Sequence, residues 1–177
     1  MEIIYRHALP QDAQELQAIY SYYVEHTVAT FRTVCLTAEH YREKIETSPY
    51  PFWVAVGDGA VLGFAYAEIL RPHDAYRWDV ELTIYLKVDA PGRQGMGSAL
   101  YHKLLPELAQ MGFYNAYAVI TGSNENSIRF HERFGFEAKV RFEKMGFKHG
   151  EWHDAVWMHK LLRPIDEAPE PPVPFRE

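Results

Sequence analysis

The chain has 177 residues, 47% of them hydrophobic and 24% charged, with a formal net charge of −6. That is enough for one domain with a proper core. The charge argues against nucleic acid as a main partner, no basic amphipathic stretch suggests a membrane surface, and no apolar run reaches spanning length. The start, Met-Glu-Ile-Ile-Tyr-Arg, has no signal-peptide character, and a single cysteine, Cys35, allows no internal disulfide. A cytoplasmic protein is expected.

Taken in chain order, Ile3-Ile4-Tyr5 reads as an opening strand. Pro10 starts a helix with Leu16, Ile19, Tyr20 and Tyr23 on one face. Val28 to Thr33 is a loop or extended piece, and Thr37 caps a second helix. Phe52 to Val56, Gly57-Asp-Gly59 and Val61 to Ile69 form a hairpin. A polar-aromatic loop, Leu70 to Trp78, precedes a strand at Val80 to Val88. A helix follows from Gly97 to Gln110, closed by Gly112, with Pro106 bending it or marking an early end. Asn115 to Ile120 is a strand, and Ser127 to Arg133 a short helix closed by Gly135. Strands near Ala138 to Lys144 and Trp152 to Leu162 flank Gly146-Phe-Lys-His-Gly150. The fold class expected is α/β, one domain over residues 1–162 around a mixed, mostly antiparallel sheet. Residues 163–177, rich in Pro and acidic groups, leave nothing to bury and are expected to be disordered or draped over the surface.

The most informative segment is Gly92-Arg93-Gln94-Gly95-Met96-Gly97-Ser98, between a strand and a helix. A glycine turn that opens a helix leaves backbone N–H groups unpaired at the positive end of the helix dipole, which suits phosphate oxygens. A dinucleotide turn would read G-x-G-x-x-G, but Ala99 and Leu100 follow Gly97. No Lys-Ser/Thr pair follows the glycines either, so an ATP-type loop fails too. By itself the turn is equally an ordinary strand-to-helix connection.

With Asn124-x-x-Ser127-x-x-x-His131 and Phe134-Gly135-Phe136, the segment resembles the GNAT acetyltransferase superfamily. The resemblance implies that the turn grips the pyrophosphate of acetyl-CoA through Arg93, Gln94, Gly95, Met96, Gly97 and Ser98. One departure stands out: Gly92 occupies the place where the superfamily usually has Arg or Gln. Backbone groups of Ile84, Tyr85 and Leu86 would meet the acetyl and pantetheine arm, one N–H serving as an oxyanion donor. Asn124 would bind on the pantetheine or pyrophosphate side, cap a helix, or do both.

Acetyl transfer to an amine needs a base. Glu81, among Val80, Leu82, Ile84 and Leu86, is a carboxylate in apolar company, where its pKa would rise. The plainer reading is an edge-strand charge in water. Four stretches, Thr27 to Thr33, Tyr76 to Leu86, Ser127 to Phe136 and Gly146 to Asp154, resemble the phosphinothricin and methionine sulfoximine N-acetyltransferases. That resemblance covers the chain to about Leu162. It implies Glu81 as the base, His131 in place of the usual tyrosine near the thiol, a homodimer, and a small amino-acid-like acceptor. His131 read alone is as well a packed helix-face histidine.

Arg71 is the candidate for holding the acceptor's carboxylate through paired, planar hydrogen bonds, although a lone loop arginine is more often a solvated charge. His73, Asp74 and Tyr76 share its loop, Thr83 sits two residues past Glu81, and Phe31 could wall the pocket or fill the core. No metal is expected: His149 and His153 have a metal-like spacing, but Gly150 and Trp152 argue against a shared helical face, and no third ligand is evident. The rival functions are a peptide or protein N-terminal acetyltransferase and a non-catalytic CoA-binding domain.

Overall fold

The alternating apolar runs become strands β1 (Ile3–His7), β2 (Phe52–Gly57), β3 (Ala60–Ile69), β4 (Asp79–Leu86), β5 (Asn115–Thr121), β6 (Glu137–Lys148) and β7 (Glu151–Leu161). The helical periods become α1 (Ala13–His26), α2 (Ala38–Thr47), α3 (Met96–Gln110) and α4 (Glu125–Arg133). These come from a computed structural model of the chain, which describes residues 2–90 and 95–175. The sheet order is β1-β2-β3-β4-β5-β7-β6. Among the described residues only β4–β5 is parallel; the other neighbours are antiparallel, as expected for a mixed, mostly antiparallel α/β domain.

Local chemistry explains most boundaries. Pro10 opens a short 3-10 turn, Pro10–Asp12, and α1 begins after it. The Thr37 side chain accepts the His40 N–H at 3.1 Å and caps α2. Asp58 and Gly59 both adopt positive φ, 49° and 81°, the geometry of a tight hairpin turn. The third helix runs through Pro106 to Gln110, so the proline does not end it. The last hairpin is longer than expected: β6 continues through Gly146 to Lys148, and only His149-Gly150 turn, at φ 52° and 81°.

Each sheet face has its own core. On one, α3 buries Leu100, Tyr101, Leu104 and Leu108 with Ala65, Val80, Leu82, Ala116 and Ala118. On the other, Leu16, Ile19, Tyr20 and Val24 of α1, with Tyr41 and Ile45 of α2, pack on Val54, Phe64 and Tyr66. Residues near the C-terminus run over the surface with their backbone engaged. The Trp78 indole donates to the Glu170 carbonyl at 2.9 Å, Val173 N–H to Met111 O at 2.7 Å, and Phe175 N–H to Pro49 O at 2.9 Å. Among the described residues, no helix is long and apolar enough to cross a membrane.

The parallel pair positions the site. Strands β4 and β5 share only three registered positions, Asp79↔Asn115, Val80↔Ala116 and Glu81↔Tyr117. Beyond Glu81, β4 has no strand partner on its β5 side among the described residues, and its backbone edge opens into a cleft.

Candidate active site

The cleft has a volume of about 1590 Å³. Its floor is Glu81 to Leu86 of β4 and Ala118 to Thr121 of β5. One end is bordered by Gly95, Gly97 and Ser98 at the start of α3 and by Asn124, Ser127 and Arg133 of the α4 region. The other end is bordered by Phe31, Arg32, His40, Lys44, Tyr66 and Glu68.

At the first end Gly95, at φ 84°, is the N-cap of α3. The helical ladder begins with Ala99 N–H to Gly95 O at 2.9 Å, so the amides of Met96, Gly97 and Ser98 precede it. A Cβ on Gly97 would lie 3.3 Å from Phe130 and 3.5 Å from Ile84, so the missing side chain lets α4 and β4 close around the helix start. The Asn124 side chain accepts the Ser127 N–H at 3.2 Å and also borders the cleft, so capping and site roles coexist. Amides that precede a helical ladder, beside an open strand edge, suit an extended ligand ending in phosphates.

The loop between α1 and α2 roofs the other end and is pinned from several sides. Lys148, only 4% exposed, donates to the Thr30 carbonyl at 2.8 Å. Tyr20 and Thr30 share a hydrogen bond of 2.8 Å, Thr121 donates to Val28 O, and the Tyr23 hydroxyl donates to Leu86 O at 2.5 Å. Phe31 lies flat against Gly146, where a Cβ would come within 2.5 Å of the ring. A glycine in β6 thus makes room for the pocket wall.

Glu81 sits where β4 and β5 part, directly opposite Glu68 on β3. Burial pushes its pKa up and Glu68 adds to the rise, while Arg71 and Lys44 pull against it. His131, 2% exposed, borders the cleft from α4. Its Nδ1 is 2.8 Å from the Ser127 carbonyl and its Nε2 2.8 Å from the Tyr101 hydroxyl. A carbonyl only accepts, so Nδ1–H donates to it and the Tyr101 O–H donates to Nε2. Both ring nitrogens are engaged, and burial lowers the pKa to about 4.

The chain matches the acetyltransferase (GNAT) domain family over residues 6–157. A phosphinothricin N-acetyltransferase of Streptomyces viridochromogenes is 36% identical over 173 residues, 97% of this chain and 92% of that protein. An L-methionine sulfoximine/L-methionine sulfone acetyltransferase of Pseudomonas aeruginosa is 31% identical over 162 residues, 89% and 94% of the two chains. The crystal structure of a GNAT phosphinothricin acetyltransferase from Sinorhizobium meliloti in complex with acetyl-CoA superposes with a TM-score of 0.87 at 33% identity, covering 100% of both. This chain belongs to the GNAT acetyltransferase family.

In this GNAT chain the structure brings Glu81, Thr83, Ile84, Tyr85, Leu86, Gly95, Gly97, Ser98, Asn124, His131 and Phe31 to one cleft. Met96 differs, because its side chain is 1% exposed and belongs to the core, so only its amide is left for a ligand. Arg93 and Gln94 lie outside the described residues. Arg71, His73, Asp74 and Tyr76 are exposed and do not border the cleft. His73 and Asp74 instead border a separate groove of about 490 Å³ against Pro171 to Pro174. Arg71 is still near enough for its charge to act on Glu81. In this arrangement His131 borders the cleft with Nδ1 on the Ser127 carbonyl and Nε2 on the Tyr101 hydroxyl, which ties Tyr101 to the first turn of α4.

Sequence reasoning missed Arg32, Lys44, Tyr66, Glu68 and Arg133. For Glu68 a signal existed. It is the one carboxylate at the end of the apolar run Val61 to Ala67, the same argument that singled out Glu81. Lys44 and Arg133 carry no such mark, since a lysine or arginine on a helix is usually solvated.

Keeping His131 neutral and buried has a consequence for acid stability. The unfolded imidazole takes a proton near pH 6.5, whereas the folded one resists to about 4. The stabilisation is therefore complete above about pH 6.5 and is lost as pH falls toward the folded value. Between about pH 7 and pH 5 the loss should be about 2 kcal/mol. Urea midpoints at the two pH values measure it. Glu81, with its pKa raised, works in the opposite direction, so His131→Gln is the comparison, and its decline should be clearly shallower.

Proposed function

We propose that this chain moves the acetyl group of acetyl-CoA to the α-amine of a small amino-acid-like acceptor of the phosphinothricin, methionine sulfoximine or methionine sulfone kind, with Glu81 as general base. The observation that carries this is the placement of Glu81, half-buried at the point where β4 and β5 part and facing the cleft. The names of the relatives support the acceptor class.

Acetyl-CoA supplies an activated acyl group. The Met96, Gly97 and Ser98 amides and Asn124 would hold its phosphate and pantetheine portions, and the open β4 edge from Ile84 to Leu86 would pair with its amide groups. Glu81 takes a proton from the acceptor ammonium, directly or through one water, so that a neutral amine attacks the thioester. As the C–N bond forms the C–S bond breaks, and the CoA thiolate leaves, taking up the proton that the new amide nitrogen gives up. A backbone N–H of the β4 edge would stabilise charge on the carbonyl oxygen. Arg71, outside the cleft's lining but near enough for its charge to act on Glu81, would hold the acceptor's carboxylate, and Phe31, pressed on Gly146, would wall the pocket. The reading extends to a cytoplasmic homodimer. Resemblance supports the pairing, as do the exposed Phe142, Phe147 and Trp152 on the outer hairpin.

Two measurements test it. Thiol release with acetyl-CoA against free amino acids, their sulfoximine and phosphinate analogues, and short peptides should favour the free analogues. A preference for peptides would replace the acceptor class. Acetyl-CoA at about 100 times its Kd should stabilise the fold by about 2.7 kcal/mol, raising Tm by about 5–10 °C. NAD and ATP should not; equal stabilisation by ATP would overturn the cofactor assignment.

A further inference from the structure

A pair of charges at the acceptor end has no role in the reaction as described so far. The antiparallel register of β3 and β4 places Glu68 directly opposite Glu81, and Tyr66 opposite Thr83 on the same face. Side chains directly opposite on neighbouring strands have Cβ atoms about 4.5–5.5 Å apart, where like charges repel. Lys44 reaches in from α2, ion-pairs with Glu68, and lies 4.1 Å from the centre of the Tyr66 ring. The Lys44 side chain is 17% exposed and that of Glu68 40%. Lys44, Glu68 and Glu81 all border the cleft.

We propose that Glu68 and Lys44 act on Glu81 as a charge pair that sets the pH range in which it accepts the acceptor's proton. Glu68 and Lys44 are thus positioning residues. The inference rests on Glu81 being the base. Glu68 places a negative charge beside Glu81 and favours its protonated form; Lys44 opposes that, both through Glu68 and directly. The other groups facing this point are Arg71 from the β3–β4 loop, Tyr117 as the β5 register partner, His40 from α2 and Arg32 from the roof. Arg71 pulls in the same direction as Lys44. Burial, Lys44 and Arg32 hold His40 below its ordinary range, so it adds little positive charge near neutral pH. A base works best when its own pKa approaches the working pH, and a second carboxylate one strand away is a direct means of raising it.

The test is the acidic limb of kcat/KM against pH in three variants. Glu68→Gln keeps the shape and a hydrogen bond to Lys44 but removes the charge. It should move the limb down by about 0.5–1 unit. Lys44→Met should move it up, in the opposite direction. A pair that only ties α2 to the sheet would lower activity without moving the limb, or move it the same way in both variants, and either result overturns the inference. Should Lys44→Met fail to fold, the direction of the Glu68→Gln shift decides alone. Glu81→Gln separates the two levels of failure. If it keeps the limb, the base assignment itself is wrong. If it removes the limb that Glu81 gives, leaving only the rise as the amine itself loses its proton at higher pH, while Glu68→Gln leaves the limb in place, only this inference is lost.

Discussion

Glu81→Gln is expected to lower kcat by about 10²–10⁴-fold near neutral pH, the usual contribution of a positioned general base, with acetyl-CoA affinity little changed. The amide preserves the shape of the carboxylate and part of its hydrogen bonding but cannot take a proton. Glu81 meets the end of the pairing between β4 and β5, while the helix-start amides lie at the other end of the cleft. The substitution should therefore leave donor binding alone. The deficit should shrink as pH rises, because more of the acceptor then arrives as neutral amine. A group that only shapes the pocket would give a deficit flat with pH. A flat deficit or near-full activity would move the role to another group.

Arg71→Ala is expected to raise KM for a free amino-acid acceptor by about tenfold or more, with acetyl-CoA affinity nearly intact. Losing one partner of a buried charge pair costs about 2–5 kcal/mol. Arg71 is exposed, so the lower part of that range, or somewhat less, applies. Its charge already reaches Glu81 without any acceptor bound, which supports a carboxylate seat near the base. A change in KM below about threefold, well under 1 kcal/mol, would make Arg71 a surface charge. The seat would then pass to Arg32, which borders the cleft itself.

Much of this was legible in the chain because it is encoded locally. The caps at Thr37 and Asn124, the Asp58-Gly59 turn and the glycine start of α3 need only a few consecutive residues to act. Glu81 stood out because a carboxylate breaks an apolar strand pattern. The far limit of the last hairpin was less legible. The sequence marks a strand only as far as Lys144; residues 145–148 read as part of the turn until their pairing with β7 is known, and Lys144 at φ 51° interrupts the strand's regularity.

By itself the sequence determined the number and kind of elements, the glycine turn that opens α3 and the position of a carboxylate in the apolar strand β4, since each depends on near neighbours. Only the tertiary structure decided which groups share the cleft. Glu68 stands opposite Glu81 through a strand register thirteen residues apart in the chain. Lys44 joins them through the seating of a helix. His131 is held neutral near pH 7 by burial, packed against Tyr101 from a different helix. Phe31 walls the pocket because a glycine in β6 leaves room for it. Charge, desolvation and packing depend on distance in space, and no local pattern in the chain records which distant residues will meet.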